Sequence, residues 1–284
     1  APPHCPVRSL GLAWRTPAPA DFAASPALEL GLATDAEAYG RSVTIAVVNM
    51  FAGKHAVYRA LTMPINRAYC AAHGYEYVDL DPADAQAYVR QHAAAWAQEE
   101  RPVHFLKFAG LAAVLERTQA DWALWQDADA LFFNHNFRLA DLVDPRYELI
   151  VPALLHTNKS HWHGVYNTGN VLVRNSPRAL EILRRAYNIG MQRRYITSFY
   201  DQGALMELSA QDKDVRAQIK LVQHRAMNSQ PEVDYSWHDF VIHFPGPKWQ
   251  YKRPLMEVFA AHLLPLGQDS QPRYALPTTA YASP

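Results

Sequence analysis

The segment Trp122–Asn134, WALWQDADALFFN, restricts the fold more than any other stretch of the chain. It is apolar on both sides of Asp127 and Asp129, and carboxylates in such a setting need partners, because an unpaired charge removed from water is costly. The short run Trp122–Gln126 reads as a central strand, with the two carboxylates standing directly at its end. In an extended segment, residues two apart point to the same side, so Asp127 and Asp129 can offer two oxygen ligands to one divalent cation. An Asp-x-Asp pair alone is a weak signal, but its apolar flanks make a merely solvated turn hard to credit.

The surrounding pattern gives this strand a sheet to belong to. Ser42–Asn49 is a β-branched run that reads as the first core strand, and Tyr75–Leu80 reads as the second. Between them, His55–His73 has helical spacing and closes at Gly74, with Pro64 expected to start, break or kink the helix. Pro82–Glu100 reads as a helical or loop excursion over the active-site edge. Pro102 suits the first turn of a helix Val103–Arg117, whose Phe105, Phe108, Leu111, Ala112 and Leu115 form one stripe. Strands are expected at Glu148–Pro152, Gly169–Arg174, Ile219–Gln223 and Phe240–Phe244, and helices at Pro177–Asn188, Asp201–Leu208 and Pro254–Leu263. Strands alternating with helices, without an internal repeat, imply one α/β unit over residues 42–267. A Pro/Ala-rich arm (1–41) precedes it and a tail (268–284) follows.

Charge narrows the partners. Lys plus Arg equals Asp plus Glu, 27 against 27, so the global attraction that draws proteins onto nucleic acid or anionic membrane is missing and phosphate recognition must be local. No run approaches the roughly 20 apolar residues of a membrane span, and no signal segment opens the chain. The start at Ala1 suits a chain trimmed of a targeting or anchoring segment. The compartment stays open between a Golgi lumen, for a eukaryotic type II protein, and a bacterial cytoplasm. Two cysteines, Cys5 and Cys70, are too few for a disulfide framework or a cysteine zinc site; Cys70 reads as a buried free thiol, with one bridge to Cys5 as the alternative. Oligomeric state leaves no mark on the sequence.

Several blocks in order resemble a known family. NRAYCAAHGYEYVDLD, VHFLKFAGLAAVL, WALWQDADALFFN, NTGNVLVRNSP, DQGAL, MNS and FVIHFPGPK are similar to blocks of the plant xyloglucan xylosyltransferases, galactomannan galactosyltransferases and yeast Golgi α-mannosyltransferases. The resemblance runs from about Val43 to Lys248. It implies a GT-A fold, a Rossmann-like nucleotide-diphospho-sugar transferase with a mixed sheet sandwiched by helices. It also implies a metal held by Asp127, Asp129 and His243, although a lone histidine at a strand end is by default a satisfied core residue. Imidazole with carboxylates favours Mn2+ over Mg2+.

Donor contacts are implied at Lys107, Asp127, Ala128, Asn167, Thr168, Gly169, Gly246 and Lys248. Lys107 could equally be a lysine on the polar side of an amphipathic helix, and Thr168 with Asn170 an ordinary turn. Gly169 would permit close backbone approach to the sugar. Asp201 and Gln202 match the pair on the sugar's reacting face, Asp201 holding a sugar hydroxyl and Gln202 steadying the oxocarbenium-like centre.

The activity so implied is retaining transfer from a UDP-sugar, with galactose, xylose or a related sugar passing to a carbohydrate or glycoconjugate hydroxyl in an α linkage. GDP-mannose is the alternative donor, and front-face attack and double displacement both remain open. A nucleotide-sugar-binding protein without turnover and a nucleotidyltransferase are rival readings, the second lacking a glycine-rich phosphate loop. The cluster His156–Gly164, HTNKSHWHG, reads as an acceptor-side loop with Trp162 available to stack on a sugar; His161 and His163 have no cysteine or carboxylate beside them to complete a metal site.

Overall fold

Trp122–Gln126 is a strand and all five of its residues are buried. The computed structural model describes residues 43–154, 166–189, 194–231, 235–236, 238–246 and 249–263. The strands are β1 (Ile45–Asn49), β2 (Glu76–Asp79), β3 (Trp122–Gln126), β4 (Ala130–Phe132), β5 (Leu149–Pro152), β6 (Asn170–Arg174), β7 (Ile219–Val222) and β8 (Val241–His243). Six of them form a mixed sheet in the order β2-β1-β3-β6-β5-β7, and β4 pairs with β8 in a separate antiparallel ribbon. β3 lies parallel to β1 and antiparallel to β6, so it occupies the interior of the sheet as its apolar sequence requires.

Alternation along the strands feeds two cores. Ala46, Val48, Ala123, Trp125, Val171 and Val173 face the layer made by α3 (Leu106–Thr118), α4 (Pro177–Asn188) and α5 (Arg194–Gln211). Ile45, Val47, Trp122, Leu124 and Leu172 face the other side, where Tyr69 and Cys70 of α1 (Arg59–His73) pack with Phe132, Phe137 and Phe240. The chain crosses from β1 through α1 to β2 on one side of β1, then returns to place β3 on its other side. Such a reversal opens a crevice at the carboxyl ends of the strands. Asn49 and Gln126 end β1 and β3 at that edge, and Asn49 Nδ2 donates to the Gln126 carbonyl at 2.7 Å.

Local departures from expectation have physical reasons. Pro64 does not end α1: the amide it lacks would have bonded the carbonyl of Ala60, which lies on the exposed side near the helix start, and Gly74 closes the helix at φ 70 as expected. The excursion after Pro82 forms α2 (Pro82–Gln91). It packs on α3, where Tyr88 Oη donates to Glu116 at 2.7 Å, and Trp96 beyond it meets Tyr187 of α4 edge-on. The stripe from Phe105 to Leu115 is buried, and a 3-10 turn (Val103–Phe105) follows Pro102 into α3. Helix α5 is two helical pieces joined at Tyr200, which holds φ 50 and ψ −121. Not anticipated were β4, α6 (Lys213–Ala217) and α7 (His224–Met227); α8 (Trp249–Leu263) begins earlier than expected.

Cys70 is buried and has no disulfide partner among the described residues, outside which Cys5 lies, and burial pushes its thiol up to about 12. The arm 1–41, the tail from 268, the cluster His156–Gly164, Trp237 and Lys248 lie outside the described residues. No helix among the described residues is long and apolar enough to cross a membrane.

Asp144 ties the edge of the sheet together. It is 1% exposed, accepts from Arg146 Nε at 2.8 Å and Arg146 Nη2 at 2.7 Å, and accepts from Lys220 of β7 at 2.9 Å. The Arg146 hydrogen bonds, helped by Lys220 and opposed by burial, hold its carboxyl well below the usual carboxylate range. A depressed folded value stabilises the protein above the unfolded value, about 3.9, and that contribution is lost as pH falls towards the depressed value. Asp144→Asn should therefore cost about 1–3 kcal/mol at neutral pH in urea denaturation, with the gap to wild type narrowing below about pH 4. A gap constant down to about pH 3 would contradict this assignment.

Candidate active site

The two aspartates are brought together by a turn. Ala130 N–H donates to the Asp127 carbonyl at 3.0 Å, so Asp127-Ala128-Asp129 forms a tight corner between β3 and β4 in place of the extended segment expected. That corner is fastened on three sides. Asp127 N–H donates to the Gly169 carbonyl at 2.7 Å, and Phe244 N–H to the Asp129 carbonyl at 2.9 Å. From α1, Thr62 Oγ1 donates to the Ala128 carbonyl at 2.8 Å. One helical turn on, Asn66 accepts from Phe132 N–H at 3.1 Å and donates to the Ala130 carbonyl at 3.3 Å and to the Gln126 side chain. A polar side chain buried on a helix face otherwise carrying Ile65 and Tyr69 needs such partners, and that misfit in an apolar stripe is the sequence signal that points to Thr62 and Asn66.

The antiparallel pairing of β4 with β8 sets Ala130 opposite His243, which brings the imidazole alongside Asp129. His243 Nε2 lies 3.5 Å from Asp129 Oδ1 and 4.0 Å from Asp127 Oδ2. The other oxygen of each carboxylate is already engaged. Asp127 Oδ1 accepts from Trp125 Nε1 at 2.7 Å and lies 3.2 Å from Lys107 Nζ, while Asp129 Oδ2 accepts from Lys252 Nζ at 2.6 Å. On the far side of the imidazole, Nδ1 lies 2.6 Å from Asn228 Oδ1. An amide oxygen can only accept, so this bond puts the proton on Nδ1 and leaves the Nε2 lone pair facing the carboxylates, the arrangement of a metal-ligating histidine.

Three donor atoms within 4.8 Å of one another, two hard oxygens and one imidazole nitrogen, fit a divalent cation. Burial pushes the Asp129 carboxyl up, but a proton on the facing His243 Nε2, present when the ring is charged and no metal is bound, and the Lys252 ammonium outweigh it and hold the group well below the usual range. Asp129 is thus ionised and ready to ligate at neutral pH.

Lys107 is not on a solvated helix face. It is 3% exposed and donates to Asp201 Oδ2 and to the Thr168 carbonyl, each at 2.7 Å. Its neighbouring carboxylates raise its pKa in spite of burial, which favours the neutral form, so it stays an ammonium. Thr168 Oγ1 also donates to Asp201 Oδ2, at 2.8 Å, and Thr168 N–H donates to Gln202 Oε1 at 3.3 Å. Lys107 accordingly bridges the metal corner and the Asp201-Gln202 pair. Asn167 Oδ1 accepts from Gly169 N–H at 2.7 Å, closing the turn into β6. The close approach that Gly169 permits is by His243: a Cβ there would overlap His243 Cε1 and stand 2.9 Å from its Nδ1. Gly246 holds φ 93, the left-handed conformation that lets the chain turn after β8.

Residues 152–252 match the galactosyl transferase GMA12/MNN10 family, in agreement with the resemblance of the sequence blocks. The match takes in Asn167 to Gly169, Asp201, Gln202, His243 and Lys252, while Asp127 and Asp129 lie upstream of it. The protein is a glycosyltransferase of GT-A fold. Among solved structures it is similar to a glycosyltransferase involved in glycosylation of the major capsid of PBCV-1, at 19% identity and a TM-score of 0.55, covering 76% of this chain and 99% of that one. It is also similar to GlyE of Streptococcus pneumoniae TIGR4, at 13% identity, TM-score 0.47 and coverage of 78% and 61%. Mouse xyloside xylosyltransferase 1 follows at 11% identity, TM-score 0.44 and coverage of 71% and 98%. The first of these speaks to the fold alone, and the scores of the other two are too low to add to it. No curated protein matches the sequence.

Sequence reasoning about this glycosyltransferase missed Lys252 and Asn228 as members of the site. Lys252 sits on α8, 123 positions from the carboxylate it pairs with, and no local pattern marks such a partner. Asn228 lies in the MNS block but had no role attached to it. Two outcomes test these assignments. Gly169→Ala, by displacing the imidazole, should weaken Mn2+ binding in isothermal titration about 10- to 100-fold, and unchanged affinity would sever the packing of Gly169 from the centre. Lys252→Met leaves Asp129 without its ammonium, so the melting temperature without metal should fall, and added Mn2+ should recover more of it than in wild type.

Proposed function

We propose that this glycosyltransferase is metal-dependent and retaining, and that it moves galactose, xylose or a related sugar from a UDP-sugar to a carbohydrate hydroxyl, forming an α linkage. The observation that carries the reading is the convergence of Asp127 Oδ2, Asp129 Oδ1 and His243 Nε2 beside a third carboxylate, Asp201, tied to the same corner through Lys107. Three carboxylates face two ammonium groups here, which suits a site that takes up a dication and a diphosphate together. A bound divalent cation would supply positive charge against the departing diphosphate.

The chain's own residues do the rest. Lys107 fixes Asp201, and Thr168 fixes both Asp201 and Gln202, so the pair is pre-set beside the reacting carbon before substrate arrives. Asp201 Oδ2 carries two hydrogen bonds, one from an ammonium. That engagement fixes the carboxylate and leaves Oδ1 to hold a sugar hydroxyl, a role that accords with attack from the face the diphosphate leaves. In that step the acceptor oxygen bonds to the anomeric carbon as the bond to the diphosphate breaks, and the hydroxyl proton passes to a leaving-group oxygen. Gln202, with its carbonyl oxygen near the turn, is placed to offer a dipole to the positive charge that develops.

A panel of UDP-galactose, UDP-glucose, UDP-xylose, UDP-arabinose and GDP-mannose, incubated with Mn2+ or chelator, tests this reading. One donor should be hydrolysed only with metal, and Asp129→Asn should be slower by about 100-fold or more. Consumption that persists in chelator or in Asp129→Asn would remove the metal centre from the chemistry. An α-configured product by NMR supports retention; a β-configured one overturns it.

A further inference from the structure

A chain of aromatic rings borders the site on one side. Tyr200 lies on His104 with ring centroids 4.5 Å apart and planes 10° from parallel. His104 meets His55 edge-on at 6.3 Å, and His55 lies 6.1 Å from Tyr58. The Lys252 ammonium sits 5.7 Å over the Tyr58 ring. One end of this arc is therefore joined to Asp129 through Lys252, and the other is one residue from Asp201. His104, in turn, precedes Lys107 by one helical turn.

Most of the arc is buried or half-buried, but Tyr200 is 38% exposed and Phe199 is 51% exposed. Five large hydrophobic side chains are exposed among the described residues, and four of them, Val57, Phe199, Tyr200 and Tyr251, lie within two residues of Tyr58, Asp201 or Lys252. Of these, Tyr200 is the ring whose place beside the site is fixed, by its stack on His104 and its position next to Asp201. Tyr200 also has φ 50 and ψ −121, the first central position of a type II′ turn, where glycine is the usual residue. A bulky residue there is a backbone outlier, and such outliers gather at functional sites. Core packing does not account for a half-open ring held in this conformation.

We propose that the open face of Tyr200, backed by His104, is the platform on which a pyranose ring of the acceptor docks. The C–H face of a sugar ring is apolar and its hydroxyl edge polar, so an aromatic face next to Asp201 and Gln202 orients the acceptor with a hydroxyl toward the reacting carbon. The strained turn aims the ring, and the parallel stack on His104 keeps it there. This rests on the transferase reading above and adds the acceptor subsite to it.

The test uses immobilised cellotetraose, xylotetraose, mannotetraose and galactotetraose, probed with the full chain in Mn2+ and UDP. Wild type and Tyr200→Phe should hold at least one of the four. Tyr200→Gly, which suits the backbone conformation but has no ring, should lose about tenfold in affinity. His104→Ala, which leaves residue 200 intact and removes its backing, should also weaken capture. Capture of none by wild type, equal capture by Tyr200→Gly, or loss in Tyr200→Phe overturns the platform. Wild-type donor hydrolysis separates the two failures: with hydrolysis present the platform alone falls, and with hydrolysis absent the transferase reading falls with it.

Discussion

The site depends on one backbone pairing, the short antiparallel ribbon that sets His243 opposite Ala130. Without it, the aspartates after β3 and the histidine of β8 are 114 positions or more apart in sequence and nothing else aligns them. The ribbon works because both strands are buried to the last residue, so register cannot slip without moving Leu131 and Ile242 out of the apolar cluster they form with Tyr58, Phe244, Met256 and Phe259. Around it, the Asp127 and Gly169 backbones lock the corner to β6, and Thr62 and Asn66 lock it to α1. Ligand geometry is consequently a property of the sheet edges, fixed before any ion or donor arrives.

Electrostatics then explain why so many charges can be buried together. Asp127, Asp129 and Asp201 each have a lysine within hydrogen-bonding or ion-pairing distance, and Trp125 and Thr168 supply neutral donors to the same groups. An unpaired buried carboxylate would be expelled or protonated; a paired one stays ionised and available. Lys107 is central because it touches both the Asp127 corner and Asp201, so the two are held in fixed relation by one ammonium.

Much of this was legible in the sequence where local pattern decides the outcome. Apolar flanks around Asp127 and Asp129 announced β3, and the stripe Phe105 to Leu115 announced α3, because burial on one face is periodic. The blocks containing Asn167, Asp201 and His243 were recognised by order, and the structure brings these residues around one corner. Illegible were the partners at long range: Lys252 for Asp129, Asn228 for His243, Asp201 for Lys107. The helical pattern left Lys107 on a polar face; in the structure it is buried, because its charge is answered across the fold. Also illegible was the packing of His243 where a side chain at 169 would stand, a contact between residues 74 positions apart.

The direct test of the centre is electron spin-echo envelope modulation of the protein loaded with Mn2+ and UDP. A 14N coupling from a directly bound imidazole is expected in wild type and should vanish in His243→Ala while the Mn2+ signal of carboxylate-bound ion persists. A spectrum without nitrogen coupling, or one identical in His243→Ala, would show that the ion is not held between Asp127, Asp129 and His243.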